Sequence, residues 1–516
     1  MARGAGAMIG IGVAACVAAL TLLPLGAVFL RAGGWPGFGP GDWEAVVFTV
    51  QQALLSAALS CGLAVPVARA LVRRRFWGRG LLIALMGAPF ILPVIVAVLG
   101  LVAVFGRSGV LNDLLAALGL PAFSLYGAHG VVLAHVFLNL PLAVRMLVQG
   151  WQAIPAERFR LAQSLGFGPR EMFWHIERPM LMAIVPGALV VIFVICLTSF
   201  AVALTLGGGP GATTVELAIY QAVKFDFDLG RAGVLAAVQF GLCLLAAGLG
   251  WRWATPSAFG AGMGRLAMIP GPGGWRCWGD MLVIGLAAAF LLVPLGAVVM
   301  RGMPGLLLLP ETVWAALGRS VSVALMSTLV TVAAALALAL TVAARGRGAA
   351  VMDLVAVLPL ATSGLVLGVG LFLLVQPLMI PSRAALPVTI LVNAVLTLPF
   401  VYRLLLPQAV AMLADYGRLA ESLGLRGWAR LRWLVLPRLA RPLGFGAGIS
   451  MAFSMGDLGV IALFAGDREA TLPLVVQRLM GAYRMDQAMG AALVLVLVSF
   501  ALFWAFDALG RRHAAS

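Results

Sequence analysis

Residues 154–179, IPAERFRLAQSLGFGPREMFWHIERP, form the longest polar and charged interruption in a very apolar chain. A second copy, LADYGRLAESLGLRGWARLRWLVLP, occupies residues 413–437. Both copies contain the pattern R-L-A-x-S-L-G, and in both a proline follows the glycine of that pattern by 13 positions. The copies lie 258 positions apart, which is half of the 516-residue chain. The sequence therefore predicts an internal duplication in which each half carries one such segment.

The composition predicts an all-α, polytopic membrane protein. The chain is 62% hydrophobic and only 10% charged, with a mean hydropathy of +1.06. A soluble domain carries about 25% charged residues. Many apolar runs reach the 18 or more residues that a helix needs to cross a bilayer. The net charge of +16 comes from arginines clustered in loops, which is typical of membrane orientation and not of nucleic-acid binding.

The apolar runs predict about twelve transmembrane helices in two parallel six-helix repeats. The first half is expected to cover residues 1–252 and the second residues 281–516, each with one polar segment, at 151–182 and 409–440. A Gly- and Pro-rich stretch at 253–280 is interpreted as a cytoplasmic linker between the halves. The predicted spans are 8–30, 48–72, 81–105, 128–149, 183–207, 232–251, 281–300, 320–344, 351–377, 385–408, 443–465 and 488–508.

Arginine placement predicts the orientation in the membrane. Both polar segments, the loop after the second span and the C-terminus are rich in arginine, whereas the loops on the other side are sparser and more acidic. Cytoplasmic loops carry the excess of arginine. Both termini and both polar segments are therefore expected in the cytoplasm.

Each polar segment is predicted to form a helix–turn–helix at the membrane surface. Pro155 can open the first helix, and Gly166 followed by the pair Gly168-Pro169 ends it. One such segment could simply be a surface helix that caps the bundle. Two copies with a fixed spacing favour a paired docking surface for a two-fold symmetric partner.

The two segments resemble the EAA loop of ABC importer permeases, whose pattern is Glu-Ala-Ala, three residues, Gly, nine residues, Ile-x-Leu-Pro. Arg160 and Arg418 stand where the family has its glutamate. The resemblance implies the type I permease fold, in which these loops are coupling helices that bind clefts of a separate ATPase dimer. The expected ATPase-coupling residues are Ala162, Gly166, Ile176 and Pro179 in the first copy and Ala420, Gly424, Leu434 and Pro437 in the second. Leu434 replaces the isoleucine of the family pattern, and the others match it.

The sequence predicts no catalytic, metal or cofactor site in this chain. A phosphate-binding P-loop needs a lysine in G-x-x-x-x-G-K-[ST], and the only lysine, Lys224, follows Val223. ATP and Mg²⁺ are therefore expected in a partner chain. The four histidines and five cysteines show no metal-ligand spacing and no CxxC motif.

A closer resemblance, to the permease subunit of thiamine and thiamine pyrophosphate importers, covers most of the chain. It is carried by QQALLSAALSCGLAVPVARALVRRRFWGRG (51–80), ILPVIVAVLGLVAVFGRSGVLN (91–112) and the longer stretches 199–236 and 454–488. It implies a plasma-membrane permease, a periplasmic thiamine-binding protein and an ATPase dimer. Ferric-iron permeases share the fused two-half architecture, so iron or another small solute is the alternative cargo. A secondary transporter of the major facilitator type also has twelve helices in parallel halves.

A few polar residues are candidates for the translocation pathway. Asp457 lies in an apolar run, where carboxylates are costly and often functional, but we favour a role in capping backbone amides of a broken helix marked by Gly456 and Gly459. Ser199, 258 positions earlier, could also cap. An acidic and aromatic periplasmic stretch could guide a cation or, as we favour, dock a partner; it contains Glu216, Tyr220, Asp226 and Asp228.

Overall fold

The computed structural model of the protein describes residues 2–32, 37–87, 91–207, 209–251, 276–344 and 348–515. Every regular element in these ranges is helical, which confirms the predicted all-α class. The predicted linker 253–280 lies outside the described residues except for 276–280, which begin a helix.

The helix counts of both halves refer to the described residues. The first half contains twelve α-helices, a π-helical turn, Phe173–Glu177, between α8 and α9, and a 3-10 turn, Pro210–Ala212. The helices are α1 (Ala2–Ala32), α2 (Pro40–Arg73), α3 (Arg79–Leu85), α4 (Val94–Phe105), α5 (Val110–Ala117), α6 (Ala128–Ala153), α7 (Ala156–Ser164), α8 (Pro169–Met172), α9 (Arg178–Leu197), α10 (Phe200–Leu206), α11 (Val215–Lys224) and α12 (Leu229–Trp251).

The second half contains ten α-helices and a matching π-helical turn, Leu431–Val435. The helices are α13 (Arg276–Gly305), α14 (Glu311–Ala343), α15 (Ala349–Val357), α16 (Gly364–Val375), α17 (Pro381–Ser422), α18 (Gly427–Arg430), α19 (Leu436–Met455), α20 (Gly459–Phe464), α21 (Leu472–Gly481) and α22 (Met485–Ala515).

The number of membrane spans agrees with the predicted twelve. Among the described residues, eleven helical stretches are long and apolar enough to cross a bilayer. A twelfth is obtained when Ala349–Ala361 and Gly364–Val375, which meet at a 96° bend, are counted as one broken span. Each half then contributes six spans, as the sequence indicated.

The structure breaks four of the predicted spans, and only in the span 443–465 had the sequence indicated a break, beside Asp457. The run 81–105 divides into α3 and α4, 183–207 into α9 and α10, 351–377 into α15 and α16, and 443–465 into α19 and α20. Apolar composition reports burial in the bilayer but does not report helix continuity. Non-helical backbone at membrane depth is tolerated where it is buried in protein or lines a cavity, so these breaks mark the interior of the bundle.

The two polar segments differ at their start, which corrects the expectation of two separate helix–turn–helix units. In the first copy Ile154 is extended and Pro155 precedes a new helix, α7. The position of Pro155 is Leu413 in the second copy, and α17 runs on for 42 residues through the segment. A residue before proline avoids helical geometry, so the break occurs only where the proline is present.

The repeat is offset by 258 positions in the polar segments but by 270 near the start of each half. α4 and α16 correspond at the larger offset, as shown by Gly100 and Gly370, which make equivalent contacts with Pro294 and Pro24. The difference arises because the first half has additional residues between α4 and α6, including α5.

The first helix of each half packs against the other half. α1 contacts α14 and α16, and α13 contacts α2 and α4. A side chain at Gly100 would place its Cβ 2.8 Å from the carbonyl oxygen of Pro294, and one at Gly370 would overlap the carbonyl oxygen of Pro24. α1 and α13, each packed against the opposite half, therefore interlock the two halves through close backbone contacts of the kind that small residues permit in membranes.

We expect Gly100→Leu and Gly370→Leu each to destabilise the protein by about 1–3 kcal/mol, the usual cost of overpacking a filled site. The measurement is the thermal unfolding midpoint of the purified protein in detergent. Gly285→Leu is the matched control, because a Cβ at this exposed position of α13 meets nothing within 4 Å. Equal midpoints for Gly285→Leu and Gly370→Leu would contradict the interlocking contact.

Candidate coupling and translocation sites

We call the polar segments 151–182 and 409–440 the first and second coupling segments. The first helix of the first coupling segment, α7, ends in a turn that depends on glycine. The N–H of Phe167 donates to the carbonyl of Ala162 at 2.9 Å, and the N–H of Gly166 donates to that of Gln163 at 3.0 Å. This pair of bonds is the Schellman motif, which requires a left-handed residue after the helix. Gly166 supplies it with a φ of +72°.

The second coupling segment repeats this turn. Leu425 donates to the carbonyl of Ala420 at 2.9 Å and Gly424 to that of Glu421 at 3.1 Å. Gly424 has a φ of +67°. No other atoms lie within 4 Å of a Cβ built on Gly166 or Gly424, so both glycines are needed for backbone conformation and not for space.

The predicted coupling residues divide between the bundle and the surface. The alanines of both copies are buried and anchor the segments, whereas the two prolines are exposed at the start of α9 and α19. Buried members are Ala162, Ala420 and Leu434, Ile176 is half-buried, and Pro179 and Pro437 are exposed.

Each coupling segment presents the same pair of leucines outward. Leu161 and Leu165 are 60% and 64% exposed, and Leu419 and Leu423 are 54% and 65% exposed. Three exposed tryptophans lie in the same segments, namely Trp174, Trp428 and Trp433. Exposed apolar clusters of this kind mark interaction surfaces. We call these two leucine pairs with their tryptophans the coupling surfaces.

The coupling surface of the first half also carries an exposed ion pair between Glu157 and Arg160, 2.8 Å apart. A hydrogen bond to the backbone N–H of Glu157 and the neighbouring Arg160 guanidinium lower the pKa of the Glu157 carboxyl. Glu157 is therefore ionised at neutral pH, and its solvent-exposed pair contributes little to stability.

Asp457 lies at the break between α19 and α20. Its carboxyl lies beside the backbone N–H groups of Gly459, Val460 and Ile461 and the side chain of Asn393, but its Oδ2 has no hydrogen-bond partner among the described residues. These N–H groups belong to the first turn of α20, which a helix leaves without internal partners. A negative charge beside this end of a helix is stabilising.

Ser199 occupies the equivalent break before α10 but does not cap it. Its side chain accepts no hydrogen bond from the helix. The two breaks meet at the interface of the halves, because a Cβ at Gly459 would lie 3.7 Å from Phe200 and one at Gly456 would lie 3.2 Å from Pro93. The broken helices of both halves therefore converge on one interior region.

Glu216 is buried, with 1% of its surface exposed, so it does not belong to the predicted periplasmic docking surface in this conformation. Its carboxyl contacts the side chains of Gln239 in α12 and Ser363 at the start of α16. Gln239 belongs to the first half and Ser363 to the second. Glu216 thus places a buried acid at the junction of the two halves.

Tyr220 connects the interior to the surface through ring contacts. Its ring lies 5.2 Å from that of the buried Phe200 and 5.8 Å from that of Phe225, which is 66% exposed. The three rings form a continuous series that begins at the broken helix α10.

Of the two remaining predicted acids, Asp226 is paired with an arginine and Asp228 is held by a backbone bond. The Arg231 guanidinium forms ion pairs with Asp226 (2.9 Å) and Asp42 (2.8 Å), whereas the backbone N–H of Arg231 donates to the Asp228 carboxyl at 2.9 Å. Arg231 therefore fixes the positions of both acids and offsets the charge of Asp226.

Comparison with known proteins gives the class of the chain. Residues 58–253 match the family described as binding-protein-dependent transport system inner membrane component. The molybdenum transport system permease protein of Mycobacterium bovis is 32% identical over 235 residues, which is 44% of this chain and 88% of that protein. The protein is a permease of the ABC importer class.

Its family follows from relatives that match nearly the whole chain. The thiamine transport system permease protein of Salmonella typhimurium is 38% identical over 524 residues, covering 97% of this chain and 96% of the relative. That of Escherichia coli is 39% identical over 489 residues, covering 91% and 90%. The chain belongs to the family of thiamine transport system permease proteins, which confirms the family resemblance of the sequence.

Proposed function

We propose that the protein carries thiamine and thiamine phosphates from the periplasm to the cytoplasm as the permease of an ATP-driven importer. The full-length relatives named for thiamine transport support this cargo over ferric iron or another solute. The importer family match favours an ATP-driven permease over a secondary transporter. The protein would lie in the bacterial inner membrane with both termini in the cytoplasm.

The observation that carries the proposal is the duplicated coupling surface. Two outward leucine pairs at equivalent positions, each held by the same glycine turn, suit the two clefts of an ATPase dimer. ATP and Mg²⁺ would bind that partner, and this chain would hold no cofactor of its own. Closure of the dimer would move both segments and reorient the halves, provided that ligand and ATP favour different states.

On the opposite face we propose a periplasmic thiamine-binding protein as the second partner, docked near Asp226 and Asp228. The pathway between the halves would pass Glu216, Tyr220 and the broken helices at Ser199 and Asp457. Buried acids and aromatic rings suit an organic cation, because a cation is attracted to carboxylates and to ring faces.

The test is reconstitution of the chain in lipid vesicles with its candidate ATPase and binding protein. Labelled thiamine uptake and ATP hydrolysis are measured together, with ferric iron as a competitor. We expect uptake that requires ATP and is unaffected by iron. Hydrolysis indifferent to thiamine would contradict the cargo, and uptake without any ATPase would contradict the class.

A further inference from the structure

The first coupling segment contains a buried carboxylate that the second lacks. Glu177, the last residue of the π-helical turn, is fully buried. Its Oε2 lies 2.6 Å from Nε of Arg69 and its Oε1 lies 2.7 Å from Nη2 of Arg73. A buried carboxylate is costly unless it is paired, so the two arginines at the end of α2 hold Glu177 at a fixed place.

Arg69 also contacts the other end of the π-helical turn. The Arg69 guanidinium lies 5.0 Å from the centre of the Phe173 ring, at the other end of the turn. Arg69 and Arg73 are four residues apart and so share one face of α2. The π-helical turn is therefore attached to α2 at both of its ends.

The second half has apolar residues in place of this ion cluster. α2 and α14 correspond at an offset of 271, because Thr49 and Ser320 accept equivalent hydrogen bonds from the first residues of α11 and α21. The positions of Arg69, Arg73 and Glu177 are then occupied by Leu340, Ala344 and Val435. Val435 is 3% exposed, and it belongs to the core cluster against which Leu340 packs.

The ion cluster continues into the other half. Arg74, next to Arg73, places its Nε 2.6 Å from Oδ2 of Asp280 in α13. At the offset of 270 that relates α1 to α13, the position of Asp280 is Gly10, which has no side chain to pair. The first coupling segment is thus linked through the end of α2 to the first helix of the second half.

We propose that Glu177 is a positioning residue that transmits movement of the first coupling segment to both halves, through Arg69 and Arg73 to α2 and through Arg74 and Asp280 to α13. The second coupling segment, with apolar packing at the corresponding positions, moves its own half. This inference rests on the proposed function, because it requires a partner that moves the segments.

The first test compares Glu177→Gln with Asp507→Asn in the reconstituted complex. Glutamine keeps the shape of Glu177 but removes the charge that both arginines need. We expect thiamine uptake per ATP hydrolysed to fall by about fivefold or more, in the range of a coupling effect, while basal hydrolysis is retained. Asp507→Asn, which alters only the ion pair of Asp507 with Arg511 in α22, outside the coupling surfaces, leaves the ratio unchanged. A proportional loss of uptake and hydrolysis would show a merely structural role and overturn the proposal.

A second variant keeps the proposal testable if Glu177→Gln does not fold. The triple change Arg69→Leu, Arg73→Ala and Glu177→Val installs the residues of the second half, and replacing a whole buried ion cluster by apolar residues is often tolerated. We expect the triple variant to recover uptake per ATP hydrolysed to within about twofold of wild type, because the apolar residues of the second half replace the paired charges. A stable triple variant whose uptake per ATP hydrolysed stays low would contradict the proposal that contact between α2 and the π-helical turn transmits the movement.

The link to the second half is tested by exchanging its charges. Asp280→Asn is expected to lower uptake per ATP, and Arg74→Asp combined with Asp280→Arg is expected to restore it. Failure of the exchange to restore any coupling in a stable protein would contradict the link.

The wild-type complex distinguishes the two proposals. Absence of thiamine-stimulated hydrolysis in wild type would count against the proposed function. Stimulated hydrolysis in wild type, together with an unchanged uptake per ATP hydrolysed in Glu177→Gln, would reject the positioning role of Glu177 and leave the proposed function intact.

Discussion

The double variant Gly166→Val and Gly424→Val is expected to lower ATP-driven uptake strongly. Both glycines have left-handed φ values, +72° and +67°. A side chain in that conformation costs about 1–2 kcal/mol per residue, and more for a β-branched one. The double change therefore removes about 2–4 kcal/mol from the two turns, enough to reorient both coupling surfaces. The measurement is uptake and thiamine-stimulated hydrolysis in vesicles, where we expect a loss of about tenfold or more.

Two controls separate this effect from general damage. Gly166→Asn with Gly424→Asn should retain most activity, because asparagine tolerates the left-handed region. Gly417→Val should also be mild, since Gly417 lies in α17 without a positive φ and with open space around it. If the valine and asparagine pairs behave alike, the conformation of the turns is not what couples the segments.

The sequence predicted the duplication and its turns because both depend on local chemistry. Gly166 specifies the end of α7, and Pro155 specifies its start. The extension of α17 through the second segment was missed, although Leu413 in place of Pro155 could have indicated it. The 270-residue offset of the early helices was also missed. The additional residues between α4 and α6, which include α5, change the offset between the halves from 270 to 258.

Residues whose role depends on distant partners were harder to predict. Glu177 stood in the quoted segment and was not singled out, because its partners Arg69 and Arg73 lie more than 100 positions earlier. The available signal was a pair of arginines four residues apart at the arginine-rich end of a predicted span. Glu216 was assigned to a surface loop, whereas α11 folds back into the bundle and buries it.

The geometry around Asp457 and Ser199 shows how the duplicated breaks have diverged. Both positions precede a short helix in the interior, yet only at Asp457 does a carboxyl lie beside the first N–H groups of the helix that follows. The two halves therefore stabilise equivalent breaks by different means. Variants at these two positions should then have unequal effects, although the residues correspond within the repeat.

Asp457→Ala is expected to lower both stability and uptake strongly, whereas Asp457→Asn keeps most of both. Alanine removes the buried carboxylate beside the first N–H groups of α20, where a negative charge stabilises a helix end by up to about 2 kcal/mol. Asparagine retains an acceptor oxygen of the same shape. Ser199→Ala is the matched control and should change little, because the Ser199 side chain makes no capping bond.

The measurements for the Asp457 series are the unfolding midpoint in detergent and thiamine uptake in vesicles. Capping alone predicts that the two readouts change together across alanine, asparagine and wild type. A different result, in which Asp457→Asn melts like wild type but no longer transports, would mean that the negative charge itself acts on the cargo. That result is consistent with a fixed organic cation passing the broken helices, since an intramembrane acid is costly to retain unless its charge is used. The asparagine variant therefore decides whether Asp457 holds the helix, the cargo or both.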